Sequence, residues 1–180
     1  SPSGDGSEAP ARSTPPVTRL RVGTGYDSHR FDATRPLVLG GVTIPDHDGL
    51  TGHSDGDAVA HAVIDAILGA ASVGNVGSHF PPSDDRWKGA DSIDLLARAT
   101  SILTDRDWHV VNVDVTVVCE SPRIGPWAEA ICARLGRAMD VTPEQVSVKG
   151  KTNEGMGWIG AGEGLAVHAV ALVEGNVGAD

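Results

Sequence analysis

Aromatic side chains are scarce, at 4% of 180 residues. The core must therefore be built from Val, Ile, Leu and Ala, and the 23 glycines are expected at tight backbone sites. Cysteine is scarcer still, with only Cys119 and Cys132. Two cysteines supply no disulfide framework in a chain this long; both sit in apolar runs and read as small core residues in a reducing compartment. Positive charge is also short: 14 Lys and Arg face 24 Asp and Glu, a net charge of −10. That excludes general nucleic-acid binding, which needs cations against the phosphate backbone. An anionic substrate would need metal cations between the two negative partners. No apolar run can span a bilayer; the best, residues 58–73, is broken by His61 and Asp65. There is no G-x-x-x-x-G-K-[ST] loop, no G-x-S-x-G elbow and no C-x-x-C pair, so P-loop, serine-hydrolase and thiol-redox chemistry have no support.

Residues 1–18 are rich in Ser, Pro and Gly with almost no large apolar side chains. Such a segment cannot repay its ordering entropy and is expected to be a disordered tail or linker. It lacks the apolar core of a secretory signal and reads as a domain-excision linker or expression scar. One domain is expected over 19–180. RLRVGTGYDS reads as a first strand, and PLVLGGVTIP as a strand pair around Gly40-Gly41, closed by Pro45. Apolar positions 59, 60, 63, 64, 67 and 68 form a helical stripe within 54–72, capped by Ser54 or Asp55. Residues 74–89 have loop composition. A helix over 91–106, capped by Asp91, precedes a strand in which Val111, Val113, Val115 and Val117 form one apolar face. A helix over 124–139 and strands at QVSVKGKT and GLAVHAVALVE follow. The fold class is α+β: a mixed sheet with helices packed on one face, in a ferredoxin-like arrangement.

Four constellations carry polar chemistry. In an extended segment Asp27 and His29 point to the same side and can close on one cation. The spacing recurs at Asp107-x-His109, so alone it decides little. In GHSDGDAVAHAVIDA, positions 57, 61 and 65 line one helical face. His61 can supply a third ligand, with Asp57 or Asp65 orienting its other ring nitrogen. Helix dipoles account for acids at a first turn, but not for His53 and His61. CESPRIGP, residues 119–126, is either a plain strand-to-helix loop or a turn whose backbone groups read a base edge, with Arg123 on a phosphate. VKGKTNEGMGWIGAGEG carries Lys149, Lys151, Thr152 and Glu154 among glycines: cationic and hydroxyl groups suit phosphate oxygens, and Glu154 suits Mg²⁺ or Mn²⁺.

Taken in order, RVGTGYDSHRF, LVLGGVTIP, GHSDGDAVAHAVIDAILGAASVGNVG, FPPSDDRWKGADS, NVDVTVVCESPRIGP and VKGKTNEGMGWIGAGEG resemble the 2-C-methyl-D-erythritol 2,4-cyclodiphosphate synthase family. The likeness runs from about Arg21 to the C-terminus. It implies a phosphorus-oxygen lyase of the non-mevalonate isoprenoid route. Such an enzyme converts 4-diphosphocytidyl-2-C-methyl-D-erythritol 2-phosphate to the cyclic diphosphate and releases CMP. It also implies a homotrimer with active sites between subunits, in the cytoplasm or, in a eukaryote, the plastid stroma. Zinc is implied on Asp27, His29 and His61, and Mg²⁺ or Mn²⁺ on Glu154. His53 and Thr152 fall on catalytic positions, and Ser54 on a substrate contact. Cys119, Glu120, Ser121, Pro122, Arg123, Ile124 and Gly125 fall on the cytidine pocket. Further substrate contacts fall on Asn75, Val76, Gly77, Phe80, Ser83 and Asp84, and on Lys151, Asn153 and Trp158. Gly23 and Gly25 would then let backbone crowd beside the substrate.

The implied chemistry needs no protein nucleophile. A phosphate oxygen attacks the β-phosphorus while CMP leaves, so the protein must cancel charge and hold an in-line geometry. Four positions depart from the family pattern. Asn75 replaces an Asp, Pro82 an acid, Arg123 a Lys, and Ala161 the Arg that lines the cavity on the trimer axis, which implies weak or no binding of isoprenoid diphosphates there. Two rival functions are a zinc phosphohydrolase, which would release inorganic phosphate, and a non-catalytic cytidine-nucleotide-binding trimer.

Overall fold

A computed structural model describes residues 17–177. Its first strand, β1, spans Val17–Leu39, far beyond the segment expected from sequence. Val17 and Thr18 pair with Val177 and Asn176, so β1 starts inside the stretch expected as tail. The remainder of that stretch, 1–16, lies outside the described residues. Gly40 and Gly41 have φ of +56° and +74°, the left-handed pair a two-residue hairpin turn requires. They join β1 to β2, Val42–Leu50, which continues past Pro45 rather than ending there.

Helix α1, Ala58–Ala70, starts later than the sequence pattern implies. Its cap is Asp57, not Ser54 or Asp55. Asp57 is fully buried and its carboxylate is shared: one oxygen accepts from Ala60 N and Gly40 N, the other from Gly41 N. The hairpin turn and the start of α1 are thereby fixed to each other. The expected loop at 74–89 contains a one-turn helix, α2, Val76–His79, and a 3-10 turn at Asp85–Trp87. Helix α3, Ser92–Thr104, is capped by Asp91 as expected. Strand β3 is Trp108–Val118, helix α4 is Ala128–Met139, and strand β4 is Val146–Lys151. A short helix, α5, Gly157–Gly160, leads to β5, Gly164–Val177.

The strand order is β2-β1-β5-β3-β4, with β3 and β4 parallel and the other neighbours antiparallel. The α+β reading with a mixed sheet holds. The connectivity differs from a ferredoxin-like βαββαβ arrangement. Helix α4 carries the chain from β3 to a parallel neighbour, and β5 then inserts between β1 and β3. Val113, Val115 and Val117 lie in the core as the alternation implies, but Val111 does not. A register shift between Val110 and Asn112 moves Val110 inward instead.

One core joins the sheet to α1, α3 and α4. The opposite sheet face carries Leu20, Val22, Tyr26 and Val170, all exposed. On the covered side, Gly23 and Gly25 have a structural explanation unlike the one the sequence suggested. A Cβ at Gly25 would stand 1.8 Å from Ala62 O, and one at Gly23 2.1 Å from Ala66 O. These glycines admit the backbone of α1, not a substrate. Among the described residues, no helix is long and apolar enough to cross a membrane.

Candidate active site

Alternation along β1 puts Asp27 and His29 on the same covered face as Gly23 and Gly25. Because the glycines let α1 close on the strand, His61 at the end of its first turn comes within reach. One Asp27 oxygen lies 2.8 Å from His29 Nε2 and 3.2 Å from His61 Nδ1. Donor atoms of all three residues lie within 4.8 Å of one another. Tetrahedral ligands at about 2.0–2.1 Å from an ion stand roughly 3.3 Å apart; the 3.2 Å separation to His61 is such an edge, whereas the 2.8 Å separation to His29 is a direct hydrogen bond that an ion would have to open. Two imidazoles and one carboxylate suit a borderline cation and leave a fourth position for a ligand. The side chains are 16–24% exposed, dry enough to strengthen electrostatics and open enough for a ligand. Burial pushes Asp27 up, but hydrogen bonds with His29 and His61 outweigh it and hold the carboxyl at about 2. Burial likewise disfavours the His61 cation, yet Asp27, with Asp57 and Asp55 behind it, raises His61 above its ordinary value.

His61 Nε2 is not oriented by Asp57 or Asp65, as the helical spacing implied. It faces Ser92 Oγ at 2.9 Å and Ser54 Oγ at 3.1 Å. Ser92 is fully buried at the start of α3; its hydroxyl donates to Asp55, which also accepts from Ser92 N at 2.9 Å. Asp55, Ser92 and His61 thus form a relay into the cluster. Asp65 accepts from Val76 N at 2.7 Å and anchors α2 to α1. No short-range pattern marks Ser92, which lies 31 residues from His61. The same is true of Arg35, whose guanidinium donates to the carbonyls of Gly52 and Ser54 on either side of His53. His53 itself is exposed, and its carbonyl accepts from Gly89 N.

A second group gathers elsewhere. A cavity of about 590 Å³ is lined by Cys119, Glu120, Pro122, Arg123, Ile124 and Gly125 from one segment and by Lys149 to Thr152 from β4 and its exit. Cys119 N donates to Lys151 O, which aligns the two segments. Gly150 gives Ile124 room: a Cβ there would stand 2.9 Å from Ile124 Cβ. Burial pushes the Cys119 thiol up to about 11, so it is an inert wall. None of Asp27, His29 and His61 lines this cavity. This cavity and the metal-competent cluster share no lining residue.

The sequence of this chain matches the YgbB family over residues 20–174. It is 52% identical over 157 residues to the 2-C-methyl-D-erythritol 2,4-cyclodiphosphate synthase of Symbiobacterium thermophilum, covering 87% of this chain and 100% of that one. The chain belongs to this synthase family. Solved structures agree. The IspF–CDP complex of Plasmodium falciparum superposes with a TM-score of 0.76 at 31% identity, covering 88% of this chain and 97% of that one. The bifunctional IspDF of Campylobacter jejuni gives 0.86 at 35% identity; 89% of this chain is covered, which spans only 44% of that longer protein.

Several family positions have duties legible in this chain. Asn75 caps α2: its side-chain oxygen accepts from Ser78 N, and Ser78 Oγ accepts from Asn75 N. An N-cap accepts Asn as well as Asp, so the departure keeps the local fold. Val76 and Gly77 ride on that turn. Phe80 is buried, edge to face with Trp87. Asp84 caps the next turn and takes the Arg86 guanidinium, which holds its carboxyl below the usual range; Ser83 beside it is exposed. Trp158 stands apart from the 590 Å³ cavity, in a shallow hollow of about 220 Å³ with Ser28, His29, Arg30 and Glu163. Asp107 and His109 join no three-ligand cluster among the described residues.

Proposed function

We propose that this chain cyclises 4-diphosphocytidyl-2-C-methyl-D-erythritol 2-phosphate to 2-C-methyl-D-erythritol 2,4-cyclodiphosphate and releases CMP, as a lyase of isoprenoid biosynthesis. The carrying observation is the gathering of ligand atoms from Asp27, His29 and His61 within 4.8 Å of one another, in a chain 52% identical to a named synthase. Asp27, His29 and His61 would hold zinc, and Glu154, with substrate phosphates, Mg²⁺ or Mn²⁺. When bound, these ions supply Lewis-acid polarisation of phosphate oxygens and cancel charge between two anionic groups.

The remaining work belongs to the chain. The 590 Å³ cavity is large enough for a nucleoside, with Arg123 and Lys151 supplying cations, while the Lys149 ammonium is paired with Asp114. Thr152, on the same wall, offers a hydroxyl toward the phosphates. Ser92 and Asp55 hold the His61 ring so that Nδ1 faces Asp27. Arg35 and Gly89 pin three successive carbonyls, fixing the backbone that presents His53 and Ser54. Asn75 keeps a side-chain amide for a substrate hydroxyl while its oxygen caps α2.

The active form in this proposal is a cytoplasmic homotrimer with one catalytic domain per chain, which takes in the sheet residues from Val17 onward. Two features support it: the cavity and the metal-competent cluster share no lining residue within one chain, and the uncovered sheet face carries Leu20, Val22 and Tyr26 at 61%, 66% and 53% exposure. The test is CMP release by protein stripped of metal and then reloaded. Activity should return with zinc plus Mg²⁺ or Mn²⁺, and His61→Ala should lose both zinc and turnover while keeping its oligomeric state. Unaltered turnover in His61→Ala would refute the assignment.

A further inference from the structure

The segment after β4 carries two candidate functional residues, Thr152 and Glu154, in a conformation it would not choose by itself. Glu154 has φ of +53° and Gly155 of +72°, consecutive left-handed positions. Glycine adopts this region freely; glutamate does not. A non-glycine residue held there persists only when its surroundings over-determine it. Two of the restraints are local. Met156 N donates to Asn153 O at 3.0 Å, and Asn153 Nδ2 donates to Met156 O at 2.8 Å. The third comes from 33 residues away. One oxygen of Glu120 accepts from Asn153 N at 2.9 Å and from Gly155 N at 3.2 Å. The two amides bracket Glu154, so a single carboxylate grips the turn on both sides of it.

We propose that Glu120 is a positioning residue: its carboxylate sets the turn that presents Thr152 and Glu154, and it does not read the nucleotide base. This assigns it a different duty from its neighbours Pro122 to Gly125 along the cavity wall. Successive amides in a left-handed turn form a concave anion site, which an external phosphate often fills. Here the anion is the protein's own. The hydrogen bond from Cys119 N to Lys151 O sets the strands in line immediately before this contact, so Glu120 meets the turn from a fixed base. On the far side, a Cβ at Gly160 would stand 2.0 Å from Gly155 C, so α5 closes directly on the turn. With Glu120 removed, the turn loses its only long-range hydrogen bonds among the described residues, and Glu154 is free to leave the left-handed region.

This inference rests on the proposed role of Thr152 and Glu154, and its test has a readout independent of it. Amide exchange of Asn153 and Gly155 should be followed by NMR in the full chain, alongside CMP affinity and turnover. In Glu120→Ala both amides should exchange at least tenfold faster, and turnover should fall at least tenfold, with CMP affinity within twofold of wild type. Glu120→Gln keeps an acceptor oxygen and should restore protection and turnover. If Glu120→Ala does not fold, Glu120→Asp, one methylene too short to reach both amides, should show the same losses. Unchanged amide protection in Glu120→Ala or Glu120→Asp would overturn the inference. So would parallel loss of CMP affinity and turnover in both the Ala and Gln variants, which would mark a charged nucleotide contact. If wild-type protein released no CMP from the substrate, the functional reading would fail, while amide protection would still decide the role of Glu120.

Discussion

Gly25→Ala should damage the proposed metal site without replacing any of its ligand residues. The added methyl would stand 1.8 Å from Ala62 O, 2.8 Å from Ala62 C and 3.0 Å from Ala66 N. All three are backbone atoms of α1, so no side chain can swing aside. Ordinary contact begins at 3.4 Å, so the helix must retreat from β1 by about 1.6 Å. Overpacking of this kind costs about 1–3 kcal/mol, and a backbone clash belongs at the upper end, about 3 kcal/mol. The larger effect falls on the site. His61 neighbours Ala62 and moves with it, whereas metal–ligand distances tolerate only about 0.2 Å. Zinc affinity should drop by about a hundredfold or more, judged against the 10–100-fold typical of losing a mere supporting contact. Urea unfolding in chelator reads the first effect, and calorimetric zinc titration the second. Gly69→Ala is the control on the same helix: its nearest neighbour is 4.0 Å away, so it should stabilise by about 0.5–1 kcal/mol and leave zinc binding alone. A Gly25→Ala protein with wild-type zinc affinity would refute the reasoning.

Other consequences are equally direct. Ser92→Ala removes the hydroxyl at His61 Nε2 and should weaken zinc binding about 10–100-fold in calorimetry while the circular dichroism spectrum stays native. Zinc titrations against pH should show affinity lost as pH falls. His61 is raised above its ordinary value by Asp27, so the metal must displace a proton there over a range that begins above about 6.5; a flat profile from pH 8 to 6 would contradict that. Asn75→Asp should change unfolding free energy by less than about 0.5 kcal/mol, since both residues cap well, whereas Asn75→Ala should cost about 1 kcal/mol.

Periodicity made most elements legible, because period-2 and period-3.6 patterns report a buried face directly. The α3 cap at Asp91 was readable for the same reason: a capping acid sits beside the stripe it caps. The start of α1 was not, because SDGD offers three adjacent acceptors and tertiary contact chooses among them. Asp57 wins since it also meets Gly40 and Gly41, 17 and 16 residues away. The Val111 error has a similar origin, a bulge that no pattern announces. Sheet order lay out of reach, since nothing local says that β5 inserts between β1 and β3.

Within the site, Asp27 and His29 were ambiguous by spacing, and their meaning came from a helix packed across two glycines. The sequence marked those glycines but suggested the wrong neighbour, because a missing Cβ does not reveal what fills the space. Ser92 and Arg35 act through contacts 17 to 37 residues away and left no local trace.

The most direct test of the account is the product itself. Phosphorus NMR of metal-loaded protein incubated with 4-diphosphocytidyl-2-C-methyl-D-erythritol 2-phosphate should show CMP and a cyclic diphosphate in equal amounts, with no inorganic phosphate. Inorganic phosphate in place of the cyclic product would mark a hydrolase and contradict the account, and unchanged substrate resonances would mark a binding protein and contradict it equally.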